Sequence, residues 1–167
     1  MLWMLLACPG PSTESGDCFG GEPVVTIGGT EVHEDGSQTW TEMDDGVEVT
    51  MVHGPQGGWH VLASARAWNT EPIVTILYTV TVEESGALVS HNNYRVQLVE
   101  DDSCSGYYPG MYGYLDVTAI EEGDADTPPE LLAGAALLLH MEVTDEVGHA
   151  ASDDVHAVAA LDPADQE

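Results

Sequence analysis

Seven histidines, three cysteines and 30 Asp or Glu residues could carry chemistry in this 167-residue chain, against two arginines and no lysine. Neutral imidazole is the commonest side-chain ligand for transition metals, so the histidines invite a metal reading first. The best cluster is near the C-terminus. There His140, Asp154 and His156 fall on the outward face of a strand pair if its register keeps Val155 and Ala157 inside. Two histidines and a carboxylate with an open position suit zinc or copper. No His-x-x-x-His, Cys-x-x-Cys or copper-type Cys-His-Met spacing supports it elsewhere in the sequence. Calcium is a further alternative at Asp44-Asp45, Asp101-Asp102, Asp124-x-Asp126 and Asp153-Asp154. None of these has the spaced ligands, central Gly and distal Glu of an EF-hand loop, and diffuse counterion association is the expectation. For catalysis there is no Gly-x-Ser-x-Gly, no phosphate loop and no lysine for Schiff-base chemistry, so no enzymatic activity and no resident cofactor are expected.

The cysteines are Cys8, Cys18 and Cys104, an odd number that leaves one sulfur over in a secreted chain. The apolar run ending in Leu5-Leu6-Ala7-Cys8 resembles the lipobox of bacterial lipoprotein signal peptides. That resemblance implies cleavage before Cys8, a diacylglycerol on its sulfur, and a signal peptide over residues 1–7. The run departs from the usual pattern in having no Lys or Arg ahead of it and in being short. With Cys8 lipidated, Cys18 and Cys104 remain as an even pair in a compartment where disulfides persist. Closing so long a loop would contribute on the order of 4 kcal/mol in the chain-entropy model.

Charge sets the partners that are possible. A formal charge of −28 with Arg66 and Arg95 as the fixed cations excludes nucleic acid, whose binding comes from Lys and Arg displacing condensed counterions. Adhesion to anionic lipid fails for the same reason, so attachment to a membrane rests on a lipid at Cys8. Still, 43% of the residues are hydrophobic, enough to bury a core and to disfavour disorder. A soluble protein of a salt-rich cytosol is a further reading of so acidic a surface.

The elements that must position these groups read as strands. Residues 8–22 are rich in Pro, Ser, Gly and acid and read as a tether, residues 23–162 as one domain, and residues 163–167 as an acidic tail. Period-two alternation marks Val47–Val52, His60–Arg66, Ile73–Val82, Tyr94–Val99, Leu137–Val143 and Val155–Ala159. It is weaker near Val24–Ile27, Glu31–His33 and Tyr112–Thr118. One short helix is expected at Thr127-Pro128-Pro129-Glu130, with Thr127 as N-cap, Glu130 reaching back to it and Gly134 ending it. The expectation is an all-β fold, an antiparallel β-sandwich of about eight strands. The segment Leu137 to Val155, with an Asp-x-x-Gly turn at Asp145–Gly148, resembles the closing strand pair of bacterial immunoglobulin-like domains, which implies an immunoglobulin-like sandwich. The Cys-Trp-Cys spacing of antibody domains is absent.

Gly54-Pro55-Gln56-Gly57-Gly58-Trp59-His60 is similar to a stretch of uncharacterised acidic bacterial lipoproteins, a resemblance that implies no activity. As chemistry it is a five-residue turn whose register pairs Met51 with Val61, Val49 with Ala63 and Glu48 with Ser64. It puts His53 beside Trp59 on the core face and His60, exposed, on the other. Residues 49–99 hold three acids and both arginines and read as central strands, with a partner-binding face carried by Trp59 as the alternative. Tyr107, Tyr108 and Tyr112, in a run of four tyrosines after Cys104, either line a strand or offer contact area to an envelope protein or glycan. Together these features lead us to expect a lipid-anchored, non-catalytic structural or binding module of the cell envelope, in the periplasm or at the cell surface.

Overall fold

A computed structural model describes residues 18–54, 57–102, 104–120 and 127–163. The proposed signal peptide, Cys8, residues 8–17 of the tether, Pro55 and Gln56, Asp124 and Asp126, and residues 164–167 of the acidic tail lie outside the described residues. Among the described residues the fold is all-β, with ten strands, β1 (Val24–Val32), β2 (Gln38–Glu42), β3 (Val47–His53), β4 (Trp59–Trp68), β5 (Ile73–Val82), β6 (Ala87–Gln97), β7 (Val99–Asp102), β8 (Ser105–Tyr114), β9 (Ala136–Asp145) and β10 (Ala150–Leu161), and one short α-helix, α1 (Pro128–Leu132).

Strand β4 is the hub. One edge of it pairs with β8 along Arg66↔Tyr107 to His60↔Tyr114, with a bulge at Ala63/Ala65. Its other edge is shared, Ser64–Trp68 pairing with Val24–Gly28 of β1 and Trp59–Val61 with Met51–His53 of β3. Strand β3 then crosses to the other half of the molecule, where it runs parallel to β10, and β10, β9, β5 and β6 follow in antiparallel order. The sheet is therefore mixed, which corrects the purely antiparallel expectation. The turn before β3 shows why. Gly46, at φ +81°, donates its N–H to the carbonyl of His156, and the Asp45 carboxylate accepts the His156 N–H at 2.9 Å. This latch starts β3 alongside β10 and in the same direction. The turn register holds at Met51↔Val61 and His53↔Trp59, but Val49 pairs with Ala159 and Ser64 with Gly28, because β10 and β1 take those positions.

The sheet curls until its ends meet. Asp116 N–H donates to the Val89 carbonyl, drawing the end of β8 to β6, and Ile27 N–H donates to Asp153, drawing β1 to β10. Inside lie Ile27, Met51, Val61, Ile76, Tyr78, Val80, Leu137, Leu139 and Met141, all fully buried. Each such aliphatic side chain contributes roughly 1.5–3 kcal/mol on removal from water. The fully buried Tyr78 ring lies against Gly113, where a Cβ would come within 2.7 Å of it. Helix α1 forms at the expected Thr-Pro-Pro-Glu signal, with the Glu130 carboxylate accepting both the Thr127 N–H and its hydroxyl.

Candidate functional site

Cys18 and Cys104 form a disulfide, closing a separation of 86 residues. Beside it Asn69, in the left-handed region at φ +58°, donates its side-chain amide to the Glu22 carbonyl and its N–H to the Cys104 carbonyl. Gly21 lies against the Asn69 side chain so closely that a Cβ there would sit 2.6 Å from it. The segment ahead of β1 is thus strapped to the junction of β7 and β8 at one end of the molecule.

The outer face of β4 carries two side-chain groups. Toward the strapped end, the Arg66 guanidinium lies between the rings of Trp40 and Trp68, 5.4 and 4.8 Å from their centroids, and forms an ion pair with Asp101. The stack joins β2, β4 and β7. Trp40 reaches it because Gly28 beneath has no side chain, and a Cβ there would be 2.1 Å from Trp40 Nε1. Between the two groups, the Thr30 and Ser64 hydroxyls approach to 2.7 Å and Gly110 N–H donates to both, folding the β1–β2 hairpin across β8.

Toward the other end, the ring of His60 sits edge-on between Tyr112 and Tyr114, with centroids 5.1 and 5.3 Å away. Burial there pushes the His60 imidazole below its ordinary value, with His53 adding to the effect. His60 is half-buried, not exposed as expected, and His53 is exposed, although its ring meets Trp59 at 5.0 Å. Tyr112 and Tyr114 are 51% and 50% exposed. Of the residues expected to bind a partner, Tyr112 is on this open face, while Trp59, Tyr107 and Tyr108 are half-buried, Trp59 and Tyr108 against the core. Tyr114 was not among them. Its signal was its spacing, two residues beyond Tyr112 on a strand, which forces both rings to one side.

The expected metal group is brought to one face but divided. Asp154 pairs with His140 across the β9–β10 hairpin, and Val155 and Ala157 are inside as required. His140 Nδ1 lies 2.7 Å from Asp154, whereas His156 Nδ1 is bonded to Glu83 at the end of β5. That bond, with the charges of Glu83, Asp45 and Asp154, raises the His156 pKa above the usual imidazole value. Each histidine thus has its own carboxylate, and among the described residues no three His, Cys, Asp or Glu side chains converge as a metal-holding group. The third such pair, His149 with Asp145, belongs to the Asp-x-x-Gly turn. Asp145 is buried and accepts from the N–H groups of Glu71, Val147 and His149 and lies 2.9 Å from His149 Nδ1.

No family model and no curated protein matches the chain. Among solved structures, the CooA pilin subunit from enterotoxigenic Escherichia coli is similar over 83% of this chain and 99% of its own, at 12% identity and a TM-score of 0.38.

Proposed function

We propose that the chain is an exported, lipid-anchored binding module of the cell envelope with an immunoglobulin-like domain and no catalytic role. The observation that carries this reading is the Cys18–Cys104 bridge. A structural disulfide belongs to an oxidising compartment, which argues against the salt-rich cytosol, and it leaves Cys8, in Leu5-Leu6-Ala7-Cys8, as the third sulfur. The immunoglobulin-like assignment is supported by strand order. β4, β8 and β7 follow one another as strands B, E and D do, and β10, β9 and β5 as G, F and C, with β6 as C′ and β3 bridging the two sets as a split first strand. Palmitate labelling of the expressed full-length chain tests the anchor. Label should enter the wild type and vanish in Cys8→Ser, and equal label in both refutes lipidation.

A second reading, zinc or copper at His140 and His156, is favoured by one observation. A carboxylate holds Nδ1 of each ring, the arrangement that commonly orients a metal-ligating imidazole. Calorimetric titration of zinc into chelator-treated protein tests it, and the absence of saturable heat at micromolar metal removes it.

A further inference from the structure

We propose that Tyr112 and Tyr114 form a stacking platform for a neutral sugar chain, so that the ligand of the module is a glycan; this deepens the binding-module reading and rests on it. In β8, Met111 and Gly113 face the core while Tyr112 and Tyr114 face out, followed on the same side by the exposed Asp116. Successive outward positions are about 6.8 Å apart along a strand, so Tyr112 and Tyr114 are neighbours on one face of β8, and Asp116 follows two residues past its end.

The rings are held before any ligand arrives. His60 contacts both edge-on, the Tyr114 ring rests against Gly58 at φ +83°, where a Cβ would come within 2.6 Å, and the Tyr112 carbonyl accepts the Tyr94 hydroxyl. Asp116 is itself oriented by the Thr118 N–H, 3.0 Å from one oxygen, and that bond keeps its pKa below the usual carboxylate range. The C–H faces of a pyranose can lie on such rings while its hydroxyls donate to the carboxylate, a charge-assisted bond.

Charge and area select the occupant. The chain carries −28, and both arginines are already paired, Arg66 with Asp101 and Arg95 with Glu146. Polyanions, including acidic glycans, are therefore repelled, whereas a neutral polyol feels no such penalty. Two half-exposed tyrosines offer roughly 200 Å² of ring surface. A protein partner needs about 800 Å² per side, several times what the two rings offer. A sugar of one or two rings is covered by what is present. Position agrees, since His60↔Tyr114 is eight residues along β4 from Trp68↔Ser105, next to the bridge, or about 27 Å. If the chain ahead of Cys18 leads to a membrane anchor, the platform lies at the far end.

The test uses the full-length chain with cellohexaose, maltohexaose and chitohexaose, and a hyaluronan hexasaccharide as the anionic control. Tyrosine-ring NMR shifts and calorimetry are the readouts. At least one neutral hexasaccharide should bind saturably and shift Tyr112 and Tyr114. Affinity should fall about tenfold in Tyr112→Ala and in Tyr114→Ala and persist in Tyr114→Phe, with circular dichroism unchanged. The inference is overturned if none of the three neutral probes moves these rings. Binding that survives in the folded double alanine variant, or that favours hyaluronan, overturns it equally. Failure of palmitate labelling would remove the lipid anchor and leave this result standing, so the two readings fail separately.

Discussion

Replacing Asp145 by Asn removes a charge while keeping shape and volume, so its effect measures what the buried carboxylate holds together. In the native turn one oxygen accepts the N–H groups of Val147 and His149 at 3.0 and 2.8 Å, and the other accepts Glu71 N–H at 3.1 Å and faces His149 Nδ1 at 2.9 Å. The amide of Asn keeps the first two bonds, now uncharged and weaker. On the other side its NH₂ points at the Glu71 N–H, donor against donor. The partly exposed His149 ring can turn to water, but the Glu71 backbone cannot. One orphaned, part-buried donor costs about 1 kcal/mol, the low end of the range for a buried one, and weakening two charge-assisted bonds by about 1 kcal/mol each brings the total to about 3 kcal/mol. For a chain of this size that lowers Tm by roughly 6–12 °C.

The pH dependence carries the sharper test. Burial alone would raise the Asp145 pKa, but the bonds from Glu71, His149 and Val147 outweigh it and hold the group below its ordinary value. A carboxyl with a folded pKa below its unfolded one is protonated first in the unfolded chain as pH falls. Its contribution is complete above the unfolded value, about 4, and is lost as pH drops through the folded value. The Tm gap between wild type and Asp145→Asn should therefore be flat from pH 6 to 8 and narrow toward pH 3. Thermal melts followed by circular dichroism decide. A gap under 2 °C at pH 7, or one that does not narrow between pH 7 and pH 3, refutes the reasoning.

Three further outcomes follow from the same structure. Arg66→Lys keeps the charge beside Asp101 but loses the planar group stacked between Trp40 and Trp68, and should cost about 1–2 kcal/mol with a red shift of tryptophan emission. Replacing Cys18 and Cys104 together by Ser should cost about 4 kcal/mol in urea unfolding, the closure entropy of the long loop, and an unchanged midpoint would contradict the bridge. In an NMR titration His156 should release its proton above pH 6.5 and His60 below it, and Glu83→Gln should bring His156 back toward 6.5 while His60 stays in place.

What could be read from the sequence was local. The alternation in Leu137–Val143 and Val155–Ala159, the turn at Asp145–Gly148 and the Thr-Pro-Pro-Glu cap each report on residues a few positions apart, and each is where it was expected. The pairing of Cys18 with Cys104 followed from the odd count once Cys8 was set aside. Strand β2 was missed because Gln38-Thr39-Trp40-Thr41-Glu42 is an edge strand, half-exposed on both faces and so without clean alternation. The parallel contact of β3 with β10 joins segments 110 residues apart through the Asp45 and Gly46 latch, and no periodicity encodes such a contact. The site behaved alike. His140 and Asp154 meet by hairpin register, but the partner of His156 is Glu83, which arrives from another strand pair. The Trp40–Arg66–Trp68 stack depends on the β1–β2 hairpin folding back, and of its three members the Arg66-x-Trp68 spacing alone marked a shared face.

The bridge from Cys18 to Cys104 also changes how the molecule carries tension. A pull between the chain's two ends passes through the sulfur–sulfur bond, and the 86-residue loop from Cys18 to Cys104 drops out of the load path. About 300 Å of contour, holding β1 to β7, is then locked against extension. What can still lengthen is the chain outside the loop, so the strands that first meet the force are β8 and β10, each secured along its length to neighbours on the sheet. With that bond reduced, the length the chain can reach under load roughly doubles, because the loop it closes is about half of the 167 residues.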